Sequence, residues 1–226
     1  MTGWLNGWTV VFDLDGTLVD TAPDLLNALN HVLTHAGLEE VDLQTVAGMI
    51  GHGAKAMIRQ GMAHQNITPS EAGLDALFDR FLVYYSEHIS VGSRPFDRAP
   101  EILDELAAAG AILSVCTNKK QDLSDQLLEA LGLAPRFAAI LGADSVPSKK
   151  PDGDHIVRAI LAAGGDPARA IMVGDSRTDE RAARNAGLPF IFVPFGYEAE
   201  SVEAIGADAV VTHYSLLPEA LSRLIG

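Results

Sequence analysis

Two hydrophobic patterns divide the chain. From about residue 95 onward, short apolar runs fall at 112–116, 137–141, 170–173, 190–193 and 209–211. Between them, 99–109, 122–131, 154–163, 178–186 and 199–205 space their apolar residues three and four apart, which predicts helices. Gly110, Gly132, Gly164 and Gly187 stand just past four of these predicted helices, where a residue without Cβ closes the last turn. Nearly unbroken apolar strands alternating with helices imply a parallel sheet covered on both faces. Thr9-Val10-Val11-Phe12 adds one more strand of this kind near the start.

Residues 20–90 break the alternation. Segments 24–36, 43–50, 54–63 and 70–89 all carry a helical period. In the last of them Leu74, Leu77, Phe78, Phe81, Leu82 and Tyr85 form one apolar stripe, which predicts core packing rather than a cofactor box. The chain therefore reads as an α/β core interrupted, after its first strand, by an all-helical insert. No internal repeat or low-complexity segment is visible.

Composition narrows the function. Hydrophobic residues make up 48% of the 226 residues and charged residues 20%, which excludes a disordered chain. The 16 basic against 30 acidic residues leave a formal charge of −14 with no basic patch, so neither nucleic acid nor an anionic membrane surface is an expected partner. The lone Cys116 ends an apolar run and reads as a small buried hydrophobe. The first apolar run, residues 8–12, meets Asp13 and is too short for a signal core, and no stretch approaches the roughly 20 residues of a membrane span. A cytoplasmic protein, monomer or homodimer, is the expectation.

The chemistry lies at strand ends, where open α/β sheets bind ligands. Asp13-Leu14-Asp15-Gly16-Thr17 places two carboxylates directly after the first strand. Thr117-Asn118-Lys119 ends a second strand, Ser148-Lys149-Lys150-Pro151 follows a third, and Gly174-Asp175-Ser176-Arg177-Thr178-Asp179 ends a fourth. Singly these read as turns, caps and solvated lysines. Jointly they aim acids, a hydroxyl and a lysine at one crevice, a combination suited to magnesium and phosphate.

In order and spelling these four segments resemble the haloacid dehalogenase superfamily over essentially the whole chain. Within it, Leu18-Val19-Asp20-Thr21 and Gly51-His52-Gly53-Ala54-Lys55 resemble the phosphoglycolate phosphatases. The resemblance implies a Rossmann-like parallel-sheet core at 1–20 and 92–226 with an inserted helical cap at 21–91. It implies Asp13 as a nucleophile forming an aspartyl-phosphate, and Asp15 as general acid and base; the second aspartate sets the chain apart from the dehalogenase branch. It implies Mg2+ held by Asp13, the backbone carbonyl of Asp15, Asp175 and Asp179. Thr117, Asn118 and Lys150 would bind the phosphoryl oxygens, Lys150 rather than Lys149 because it immediately precedes the proline. The expected substrate is a small phosphomonoester, foremost 2-phosphoglycolate, with His52, Gly53 and Lys55 of the cap reading its leaving group.

Two departures from the family pattern stand out. Asp152-Gly153 replaces the usual second proline after Lys150-Pro151, and residues 94–99 replace a proline–glycine turn. Neither touches a motif residue; both leave substrate preference open. A sugar-phosphate phosphatase or phosphoglucomutase would share these motifs. A phosphoaspartate receiver domain would be shorter and would lack both the insert and the Gly-Asp-Ser-x-x-Asp segment.

Overall fold

The computed structural model describes residues 3–198 and 200–226. Its strands are β1 Thr9–Phe12, β2 Val19–Asp20, β3 Arg94–Pro95, β4 Ile112–Cys116, β5 Ala139–Leu141, β6 Ala170–Gly174, β7 Phe190–Phe192 and β8 Ala209–Val210. Its α-helices are α1 Ala22–His35, α2 Leu43–Val46, α3 Ala54–His64, α4 Glu71–Glu87, α5 Ala99–Ala108, α6 Gln121–Ala130, α7 Gly153–Ala162, α8 Arg177–Asn185, α9 Val202–Ile205 and α10 Leu217–Ile225. Six strands form one wholly parallel sheet in the order β5-β4-β1-β6-β7-β8. The α/β class, with a Rossmann-like parallel core and a helical insert, is therefore as expected.

The pleat sorts side chains between two apolar layers. In β1, Val10 and Phe12 join the larger layer and Val11 the smaller; in β6, Ile171 and Val173 oppose Ala170 and Met172. Helices α7 and α8 cover the smaller layer, while α5, α6 and α10 cover the larger. Cys116 is fully buried in the smaller layer. The four glycines expected to close helices all take positive φ, from 68° to 95°.

The insert joins the core through a short antiparallel ribbon in which Val19 faces Pro95 and Asp20 faces Arg94. Asp24, in the first turn of α1, ties the two connections together. Its carboxylate accepts from Gly92 N, Ser93 N and Ser93 Oγ at 2.7–3.0 Å. Two-residue strands leave no periodicity, so the hydrophobic pattern did not announce this ribbon.

Several expected boundaries move. The helix expected at 43–50 ends at Val46 and tightens into a 3-10 turn, Ala47–Met49, where Gly48 weakens the α-helix. The helix expected at 70–89 spans Glu71–Glu87, with Ser70 as its cap accepting from Gly73 N. The helix expected at 199–205 is Val202–Ile205, capped by Ser201; Ala199 lies outside the described residues. The α10 helix, with Leu217, Ala220 and Leu221 buried, lies beyond the elements read from the pattern. The Asp152-Gly153 departure has a packing reason. Asp152 caps α7, and a Cβ on Gly153 would lie 2.5 Å from Ala186 N. No described helix is long and apolar enough to cross a membrane.

Candidate active site

The central strand β1 delivers Asp13 to the carboxyl edge of the sheet, between the ends of β4 and β6. Asp13 N donates to Val173 O at 3.0 Å, which fixes the acid against the neighbouring strand. The chain then turns at Gly16, with φ of 83°. A side chain there would be strained, and its Cβ would collide with Asp175 Oδ2. Glycine at 16 is thus set by a close approach as well as by backbone angle.

Three carboxylates converge at this edge. Asp13, Asp175 and Asp179 are 4%, 3% and 0% exposed, and ligand-capable atoms of all three lie within 4.8 Å of one another. Asp175 accepts from Thr17 Oγ1 and from Tyr197 N, each at 2.9 Å. Asp179 has two tasks. It completes a capping box with Ser176 at the start of α8, and its Oδ1 takes the Lys150 ammonium at 2.6 Å. Lys150 Nζ also lies 2.8 Å from Asp13 Oδ1, an ion pair without hydrogen-bond geometry.

Burial dominates the electrostatics. It raises the Asp13 carboxyl to about 6, the Lys150 charge pulling against it and Asp179 adding to it. Asp175 is raised well above the ordinary range by burial and then by Asp179 and Asp13. For Lys150 burial works against the ammonium, but Asp13 and Asp179 outweigh it and hold the group above its usual value. Three buried acids with one buried lysine leave a charge deficit. Lys150 offsets only part of the negative charge of Asp13, Asp175 and Asp179, so their clustered carboxylate oxygens suit a further cation. Hard carboxylate oxygens at this spacing fit a divalent ion such as Mg2+.

The remaining sequence-predicted residues surround the cluster. Thr117 is buried at the end of β4. Asn118 Nδ2 donates to Lys150 O at 3.0 Å and to Gly51 O of the insert at 3.4 Å. Lys150 is buried and Lys149 exposed. Asp15 faces a cavity of about 240 Å³ between insert and core, onto which His52, Gly53 and Lys55 also open. Lys55, however, is half engaged elsewhere. Its ammonium pairs with Asp75 at 2.5 Å and lies 5.1 Å from the centre of the Phe78 ring.

Two residues at this cavity escaped the sequence reading. Lys119 Nζ donates to Asp15 Oδ1 and Oδ2 at 3.0 and 3.2 Å and to Tyr85 Oη at 2.7 Å. Burial opposes the Lys119 charge, but Asp15 and Tyr85 hold it above its ordinary value. Burial pushes the Tyr85 phenol up to about 12. The apolar stripe of α4 is thus not wholly core, since Phe78, Phe81, Leu82 and Tyr85 line the cavity. Lys119 stood beside Thr117 and Asn118 in the sequence, so adjacency to a site segment was its available signal.

Comparison with known proteins bears on this geometry. Residues 10–193 match the family model of haloacid dehalogenase-like hydrolases. A phosphoglycolate phosphatase of Caulobacter vibrioides is 46% identical over 98% of this chain and 93% of its own length. One from Agrobacterium fabrum is 44% identical over 93% and 91%. A crystal structure described as a predicted phosphoglycolate phosphatase from Haemophilus somnus superposes with a TM-score of 0.88 at 27% identity, covering 96% of this chain and 98% of that one. The chain belongs to the haloacid dehalogenase-like hydrolase family.

Proposed function

We propose that this chain, a phosphoric monoester hydrolase, converts 2-phosphoglycolate to glycolate and phosphate through an aspartyl-phosphate on Asp13. The observation that carries the mechanism is a buried Asp13 at the end of the central strand, 2.8 Å from the Lys150 ammonium and clustered with Asp175 and Asp179. The substrate choice draws on two relatives of that name, which match the chain over almost all its length.

In this reading Asp13 attacks phosphorus and the bond to the leaving oxygen breaks, dividing one hard displacement into two easier ones. Asp15 gives its proton to the departing alkoxide, then takes one from the water that cleaves the acyl phosphate. Thr117, Asn118 and Lys150 hold the phosphoryl oxygens, over which the transition-state charge spreads. Asp13, the carbonyl of Asp15, Asp175 and Asp179, the last directly or through water, would hold Mg2+, which neutralises charge where nucleophile and phosphate meet. Residues 1–20 and 92–226 serve as the catalytic core and 21–91 as a cap that closes over the leaving group, hinged near 20–21 and 92–95.

Phosphate release from a panel of phosphomonoesters, with Mg2+, with EDTA and with Ca2+, tests the proposal. Phosphoglycolate should lead the panel, EDTA should abolish turnover, and Ca2+ should inhibit because its looser coordination misaligns the carboxylate. Full activity under chelation overturns the metal role. A sugar phosphate turned over faster, or converted to an isomer, overturns the substrate.

A further inference from the structure

One buried charge has no part in the chemistry above. Lys119 is 9% exposed, and its ammonium sits between Asp15 of the core and Tyr85 of the insert. We propose that Lys119 receives the carboxylate of the substrate's leaving group and so selects phosphorylated carboxylic acids over neutral phosphomonoesters. This rests on the phosphatase reading and names the residue that gives it specificity.

Charge is the first support. In a chain of net charge −14, the cavity is lined by Lys55, Lys119, Lys120 and Lys149 against the single acid Asp15. A pocket of inverted sign suits an anion beyond the phosphoryl group. Burial separates the four lysines. Lys55 and Lys120 have side chains more than 40% exposed and pair with Asp75 and Asp144, and Lys149 is exposed. Lys119 alone of the four is withdrawn from water, where a charge-assisted contact is strongest.

Position is the second support. A general acid must lie within hydrogen-bond reach of the bridging oxygen, roughly 2.6–3.2 Å. In phosphoglycolate the carboxylate carbon is joined to that oxygen through a single methylene. Lys119 Nζ stands 3.0 Å from Asp15 Oδ1, so an ester whose bridging oxygen meets Asp15 brings its carboxylate to the same ammonium. The exchange is favourable in kind. Tyr85 Oη is a neutral acceptor at 2.7 Å, and a carboxylate in its place adds a full counter-charge. Tyr85 belongs to α4, so the cap itself gives up the partner that the substrate replaces.

The test compares phosphoglycolate with 2-hydroxyethyl phosphate, which carries a hydroxymethyl group where phosphoglycolate has the carboxylate. The parent enzyme should prefer phosphoglycolate by at least tenfold in kcat/KM. Lys119→Met should lower that ratio by roughly ten- to a hundredfold, mostly through KM, the loss of one charged hydrogen bond. Lys119→Arg should recover part of the preference. Equal losses on both esters in Lys119→Met would reduce Lys119 to a support for Asp15 and overturn the inference while the phosphatase reading stood. A parent without preference, which needs no variant to fold, also overturns it. A parent that releases phosphate from neither ester sinks the functional reading itself.

Discussion

Asp13→Asn separates catalysis from stability. The amide keeps the size of the carboxylate but cannot attack phosphorus, so phosphate release should vanish while the fold remains. The metal-free protein should at the same time become more stable. Asp13 is 4% exposed and its carboxyl is raised from 3.8 to about 6, by burial first, with Lys150 opposing and Asp179 adding. A folded-state pKa above the unfolded value gives a contribution fully present below pH 4 and lost as pH rises through about 6. A shift of about two units at roughly 1.4 kcal/mol each amounts to about 3 kcal/mol by pH 8. The amide has no proton to lose, and Lys150 keeps Asp179 at 2.6 Å, so no buried cation is stranded. In EDTA at pH 8 the variant should therefore melt higher than the parent by up to roughly 6–12 °C, and at pH 4 the two should melt together. With Mg2+ the order should reverse, because a cation held by the parent alone stabilises it by mass action. Calorimetric melts at pH 4, 6 and 8, with chelator or with Mg2+, read all of this. A variant no more stable than the parent in EDTA at pH 8, or turnover within tenfold of the parent, would refute the reasoning.

Gly16→Ala should strain a backbone held at φ 83° and push its Cβ into Asp175, costing about 1–3 kcal/mol and raising the Mg2+ needed for half activity severalfold. Melting temperature and a Mg2+ titration check it; an unchanged metal requirement would contradict the link between Gly16 and Asp175. His155 is buried, its Nδ1 accepting from Lys150 N at 3.3 Å and its Nε2 facing Leu141 O, and burial lowers it from 6.5 to about 4. Its neutral form stabilises the fold above pH 6.5, and that contribution, about 3 kcal/mol, is lost as pH falls toward 4. His155→Gln should flatten this acid limb in urea titrations followed by circular dichroism; an unaltered limb would remove His155 as its cause.

The sequence made the sheet legible because its buried strands are continuous apolar runs and its helices stop at glycine. The candidate site was legible for a related reason, since motif residues cluster within a few positions of strand ends. What escaped depends on long-range pairing. The ribbon of Val19–Asp20 with Arg94–Pro95 exists only because two distant segments meet. Lys119 and Tyr85 meet across 34 positions, and Tyr197 Oη reaches Asp20 at 2.6 Å across 177. No local period encodes such contacts. The break after Val46 was local and still hidden, because one glycine in a helical stretch weakens it without fixing where it ends.

The place of β1 in the sheet has a consequence for how the molecule is made. This strand precedes every other strand of the sheet in the sequence, yet it occupies the middle of the sheet, with Val11 between Ser114 and Met172. Its four residues are all buried in the finished protein, and both hydrogen-bonding edges must wait for partners translated much later. The insert's helices are complete by Glu87, before either partner strand exists. The nascent chain thus carries an apolar strand with two open edges, followed by helices that can pair among themselves. Asp13 meets Asp175 and Asp179 only when β6 and α8 arrive, so the crowded charges come together after the helical insert, β4 and β5 have been made.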